Sequence, residues 1–197
     1  MKCREFFTKH AENRDRCKEL QKLANEGEDV LRFEAESASE DSPGPVKNAE
    51  HLWRQIINPT HFDSEKNEIK ATAFADVSDK GGSVNRDYEP YESVYAKAVA
   101  RVADLNQKKP EMNAKLVGLV RLSCLAVREI TTEINSPGKP VRGFIVVDTA
   151  LKGDESHADI CQITSQPGQS RAVRSRLVEI ANQYLQEHIL SGSQQLN

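Results

Sequence analysis

The sequence predicts an α+β protein, with a mostly antiparallel sheet flanked by helices and preceded by an N-terminal helix and a flexible acidic linker. Three observations predict it. Strand-like and helix-like stretches are interspersed without the βαβ rhythm that a parallel sheet requires. Two segments, Tyr91 to about Gln107 and about Arg171 to Leu190, repeat apolar residues at helical spacing. Between residues 34 and 48 the composition turns acidic and rich in Ser and Pro, without any apolar period.

Residues 2 to about 25 read as one helix, because Cys3, Phe6, His10, Asn13, Cys17, Leu20 and Ala24 recur every three or four positions. The segments are then 1–33 (N-terminal amphipathic helical segment), 34–48 (linker), 49–192 (globular domain) and 193–197 (frayed tail). Within the domain, His51 to Ile57 opens a strand or short helix that ends before Asn58-Pro59. Strict alternation of Ile69, Ala71, Ala73 and Ala75 predicts a half-buried strand over 68–75. Asp79 to Gly82 is a turn and Ser83 to Asn85 a short pairing strand.

Pro90 occupies a first helical position, and Tyr91, Val94, Tyr95, Ala98, Val102 and Leu105 supply the apolar stripe behind it. Ala114 to Ile130 is continuously apolar, and Gly118 with the Val/Ile-rich end favours one or two buried strands. A turn at Ser136–Pro140 leads to strands at 141–149 and 157–163. The last helix carries Val173, Leu177, Ile180, Ala181, Tyr184, Leu185 and Ile189 on its apolar face, with Gly192 as its stop.

Length and charge bound the function. A chain of 197 residues builds a real core, and a formal charge of -3 offers nucleic acid or anionic membrane no bulk attraction. The start lacks an uninterrupted apolar h-region, and the longest apolar stretch is interrupted by Arg121 and Arg128. These features predict a soluble, cytoplasmic protein. Cys3, Cys17, Cys124 and Cys161 form no C-x-x-C pair and no close Cys/His cluster, so reduced, mostly buried thiols are expected, with no metal and no cofactor. G-x-S-x-G, Walker, G-x-G-x-x-G, H-E-x-x-H and EF-hand signatures are all missing.

Three groups of side chains carry chemical interest. Arg171 and Arg174, with Arg176, sit in the first turns of the last helix, where the dipole is already positive. Free N–H groups and guanidinium forks there suit a phosphate or carboxylate, while pairing with nearby acids is the plainer reading. Arg54 falls among apolar neighbours on a strand face, so it needs a buried acid or an anionic ligand. His61 and His157 are candidate catalytic groups, able to titrate near neutrality, or else hydrogen-bonded structural residues.

Leu52-Trp-Arg-Gln with Asn58-Pro-Thr-His61, Ala71-Thr-Ala-Phe74, Ser83-Val84 and Ser156-His-Ala-Asp-Ile160 give the chain a likeness over residues 51 to 185. It resembles a loose family of uncharacterised bacterial proteins in which an L-x-R-Q-x-x-P start, an A-F segment and a late H-A-x-I recur. The resemblance implies a bacterial origin, adds weight to Arg54, His61 and His157, and carries over no activity.

Two functions follow as expectations. The first is a binding or accessory component of a larger system, meeting a protein partner or its own copy through residues 2–25. The other is an enzyme or ligand-binding domain for a phosphorylated or nucleotide-like molecule, in which Arg54, His61, His157 and the Arg171/Arg174 helix start converge on one cleft.

Overall fold

Apolar alternation sets most of the architecture. The computed structural model describes residues 1–133 and 140–190. The chain begins with helices α1 (Cys3–Lys9) and α2 (Arg16–Asn25), followed by a 3-10 turn at Val30–Ala35. Strand β1 (His51–Asn58) leads to a small ribbon, β2 (Phe62–Asp63) and β3 (Glu68–Ile69). Two 3-10 turns, Ala71–Phe74 and Asp76–Ser78, precede β4 (Gly82–Arg86) and helix α3 (Tyr91–Lys108). Strand β5 (Lys115–Ser123) runs into helix α4 (Cys124–Arg128), then β6 (Thr131–Glu133) and β7 (Pro140–Arg142). Strands β8 (Phe144–Asp148) and β9 (His157–Gln162) precede the long helix α5 (Pro167–Tyr184).

The main sheet has five strands in the order β5-β1-β4-β9-β8, every neighbouring pair antiparallel. The fold is therefore α+β with an antiparallel sheet flanked by helices. Strand side chains alternate between two faces. On one, Leu52, Ile56, Val84, Phe144, Val146 and Ile160 meet Val173, Leu177 and Ala181 of α5 in one continuous core. The other face is covered in two halves. Ile145, Val147 and Cys161 take α1 and α2, while Leu119 takes Val94 and Ala98 of α3.

Several expectations change. The single helix over 2–25 is two helices, and its apolar residues Cys3, Phe6, Cys17 and Leu20 are fully buried against β8 and β9. The acidic segment 34–48 is pinned rather than loose. Glu34 accepts hydrogen bonds from Arg128 and Arg142 at 2.8 Å and from the Val146 N–H, and Ser37 donates to Asp148. Those contacts cap the open edge of β8, which an unpaired strand otherwise leaves exposed to wrong pairing.

Residues 68–75 form a two-residue strand and a 3-10 turn, not a continuous strand. Asn182 takes both backbone groups of Ile69, and Arg54 takes the Ala73 carbonyl, so side chains satisfy backbone groups that a longer strand would give to a ladder. The apolar run 114–130 is one strand followed by a short helix that Ser123 caps by accepting from the Ala126 N–H. The predicted turn at 136–140 (but for Pro140), the stop at Gly192 and the tail 193–197 lie outside the described residues. All four cysteines are buried and unpaired. Among the described residues, no helix is long and apolar enough to cross a membrane.

Candidate functional site

A site arises where the sheet fails to close. Strands β1 and β4 pair only at Leu52↔Arg86 and Trp53↔Asn85 and then splay apart. A gap between strands leaves carbonyls without ladder partners, and Arg54 fills that need by donating from Nη1 to the Ser83 carbonyl at 2.7 Å. Within this fork lies a cavity of about 390 Å³, inside the range of small-molecule sites. Gln55 of β1, Ser83 of β4, His157 of β9, Arg101 of α3, Lys80 and Leu151 line it, together with Arg54, His61 and Asp76. It occupies the seam between the two halves of the covered face, where the floor is polar.

His157 is the most chemically ready group. It is 8% exposed, and its Nδ1 lies 3.1 Å from the Thr149 carbonyl and 2.9 Å from the Thr149 hydroxyl. A carbonyl only accepts, so Nδ1 carries the proton and donates. Nε2 is then the basic nitrogen left for the cavity. The Thr149 hydroxyl in turn donates to Asp159 Oδ2 at 3.0 Å, and Arg16 of α2 closes an ion pair on the same oxygen. Asp159 is fully buried, and its Oδ1 accepts no hydrogen bond. The arrangement orients an imidazole through a hydroxyl onto a neutralised carboxylate, which fixes its tautomer and ring plane.

Arg54 and His61 behave differently. Arg54 donates from Nη2 to both Asp76 oxygens at 2.9 Å and to the Ala73 carbonyl at 2.7 Å, while its guanidinium stacks on Phe74. A guanidinium with that many partners is a brace for the fork, and only its outer surface meets the cavity. Burial, followed by the Arg54 charge, pushes the His61 pKa down to about 4. His61 is thus neutral at pH 7, against the expectation that it titrates near neutrality.

The cavity lining holds three cationic side chains, Arg54, Lys80 and Arg101, and one carboxylate, Asp76. Arg54 and Asp76 offset each other. Arg101 shares Asp154 with Lys97, whereas Lys80 makes no ion pair among the described residues. Burial alone would raise the Asp154 carboxyl, but hydrogen bonds from Lys97, Ser156 and Asn85 outweigh it and hold it below the usual range. This network ties α3 to β4 and fixes where Arg101 stands.

Of the five residues singled out from sequence, three meet and two do not. Arg54, His61 and His157 line one cavity. The helix start expected at Arg171 lies instead at Pro167, which puts Arg171 and Arg174 fifth and eighth in α5, past its free N–H groups, and both are absent from that lining; Arg174 Nε donates to the Ser170 carbonyl and Arg171 is exposed. Sequence reasoning missed Lys80, Arg101, Gln55, Thr149, Asp159 and Arg16. For Asp159 a signal was present, since residues two apart on a strand share a face and His157 is its i−2 neighbour. The chain also has one residue more between Gln55 and Pro59 than the L-x-R-Q-x-x-P pattern, and β1 carries a bulge between Ile56 and Ile57.

Among the described residues no group of three or more His, Cys, Asp or Glu side chains is placed to hold a metal ion. Comparison with protein-family models, with curated proteins and with solved structures returns no match for this chain.

Proposed function

We propose that the forked-strand cavity binds a phosphorylated small molecule and that His157 serves there as proton acceptor. One observation carries this reading. Arg54, His61 and His157, from distant parts of the chain, meet around a single cavity that Lys80 and Arg101 make electropositive. Cations in a partly enclosed, low-dielectric cleft attract an anion more strongly than the same charges in water. The basic Nε2 of His157 then faces whatever the anion positions beside it.

The bacterial accessory-component reading, with a protein partner or second copy docking through residues 2–25, is the weaker proposal. The apolar seam it needs is occupied by the chain's own sheet.

A thermal-shift titration tests the binding reading, because a ligand that binds only the native state raises the melting temperature with concentration. Inorganic phosphate, phosphosugars and nucleotides are the probes. Wild type should show a rising Tm with at least one, and the Lys80→Gln/Arg101→Gln variant should lose most of it. A flat response of wild type to every phosphorylated probe sinks the proposal.

A further inference from the structure

The cavity in the strand fork has a neighbour of opposite character. A second cavity of about 350 Å³ is lined by Phe7, Ala11, Ala38, Ala150 and Leu151, with Thr8, Arg16, Ser39 and Thr149 in its wall. Leu151 lines both cavities. Thr149, whose carbonyl and hydroxyl hold His157 in the first, faces the second. The partition is therefore thin, built by the residues that follow β8, and Leu151 stands where the two spaces meet.

The linings differ in kind. Leu151 is the one apolar residue lining the first, whereas Phe7, Ala11, Ala38, Ala150 and Leu151 make up the larger part of the second. Leu151 is 51% exposed at this junction. An aliphatic side chain held half in water beside an apolar recess gains when something apolar covers it. Exposure and polarity contrast point to the same occupant.

Building on the phosphate reading above, we propose that the ligand is a phosphate monoester whose organic part is small and apolar, with its phosphate in the first cavity and its hydrocarbon in the second, beneath Leu151. Lys80 and Arg101 take the charge, and His157 faces the ester junction. In the second lining Arg16 is already paired with Asp159, and the Thr149 hydroxyl with His157 and Asp159, so the hydroxyls of Thr8 and Ser39 are what remains for the many polar groups of a sugar or a base, and leaving such groups unpaired costs affinity.

Calorimetric titration of the full chain with inorganic phosphate and then with straight-chain alkyl phosphates, methyl through hexyl, tests this. Affinity should rise roughly fourfold per methylene until the second cavity is full, the factor expected from burying one CH₂. Ala11→Trp, placed at an exposed position on the second cavity's lip, should flatten that rise. If phosphate and all esters bind with one affinity, the two-cavity inference falls and the phosphate site stands. If nothing binds, inorganic phosphate included, both fall. A chain-length gain that survives Ala11→Trp places the hydrocarbon elsewhere, and a nucleoside monophosphate binding tighter than hexyl phosphate refutes an apolar organic part.

Discussion

The two faces of the sheet solve the same problem in different ways. One face is sealed by α5 and the 62–77 segment over a single apolar core that crosses all five strands. The other is sealed by two unrelated pieces, the N-terminal helices over β8–β9 and α3 over β5–β1. Two lids over one floor leave a seam, and every strand residue beneath that seam is polar: Ser83, Asn85, His157 and Asp159. The comparison teaches that the unbroken cover supplies rigidity and the broken cover supplies the site. Buried polar groups are tolerated at the seam because a network satisfies most of them.

The strongest way to break this comparison is to ask whether both lids belong to the same cooperative unit. Phe144 and Phe6 are both fully buried, one under α5 and one in α1. Truncating a buried Phe removes its transfer energy and leaves a void, at a cost of about 3–5 kcal/mol. Phe144→Ala and Phe6→Ala should therefore destabilise by comparable amounts in urea unfolding, in one transition for each variant. A Phe6→Ala cost within about 0.5 kcal/mol of zero would mean that the N-terminal helices are a loose appendage, and the seam would lose one of its walls.

Next in size is the brace across the fork. Removing the Arg54 guanidinium leaves Asp76 and the Ser83 and Ala73 carbonyls without their donor. Breaking a buried pair from one side costs about 3–5 kcal/mol, toward the lower end here because Asp76 is still partly solvated. Arg54→Lys keeps the charge but loses the fork that serves three partners, so it should recover only part of the loss. Full recovery by Lys would show that charge alone, rather than fork geometry, holds the strands apart.

A pH experiment probes the same corner. The folded chain holds His61 near pKa 4, below its ordinary value of 6.5, through burial and the nearby Arg54 charge. Between those values the unfolded chain takes up a proton that the folded chain refuses. Stability is therefore complete above pH 6.5, falls as pH drops through the window, and levels off below about 4. The full span amounts to at most about 3 kcal/mol. Glu50, Asp87, Glu89 and Asp154, also held below their ordinary values, add acid sensitivity only lower in the range. His61→Gln should flatten the slope between pH 6.5 and 4.5. An unchanged slope would assign that window to another group.

How much of this was legible depends on the range of each contact. The 3.6-residue period located α3, because an amphipathic face is written in a dozen residues. The one strict period-2 alternation, over 68–75, became a two-residue strand and a 3-10 turn, and 51–57 read equally as a strand or a short helix. The site was partly legible. Arg54 among apolar neighbours announced a buried partner, and His157 with Asp159 shared a strand face. Their link through Thr149 was not, since it requires the β8–β9 register, in which Val147 faces Asp159 and Asp148 faces Ala158. Arg16 and Asp159 are 143 positions apart, and Glu34 and Arg142 are 108 apart. An acidic segment whose cations lie that far along the chain looks locally like a solvated tether. Composition reports what a segment lacks nearby, not what comes to meet it.

The smallest expected effect decides where the anion goes. Arg171 and Arg174 belong to α5, which covers the sealed face, and neither lines the fork cavity. Arg171 is exposed, and Arg174 returns a hydrogen bond to its own helix at Ser170. Neutralising such charges away from a buried network changes stability by no more than about 0.5 kcal/mol, and as the fifth and eighth residues of α5 they lie past the first turn, where the dipole acts. Arg171→Gln/Arg174→Gln should therefore leave the unfolding midpoint unchanged, and leave any phosphate-induced rise in Tm intact. Lys80→Gln/Arg101→Gln should do the reverse, sparing the midpoint and removing the ligand response. If the Arg171/Arg174 pair instead abolished the response, the anion would be bound on the sealed side. The seam would then be only a polar joint between two lids, and the division of labour between the faces would not hold.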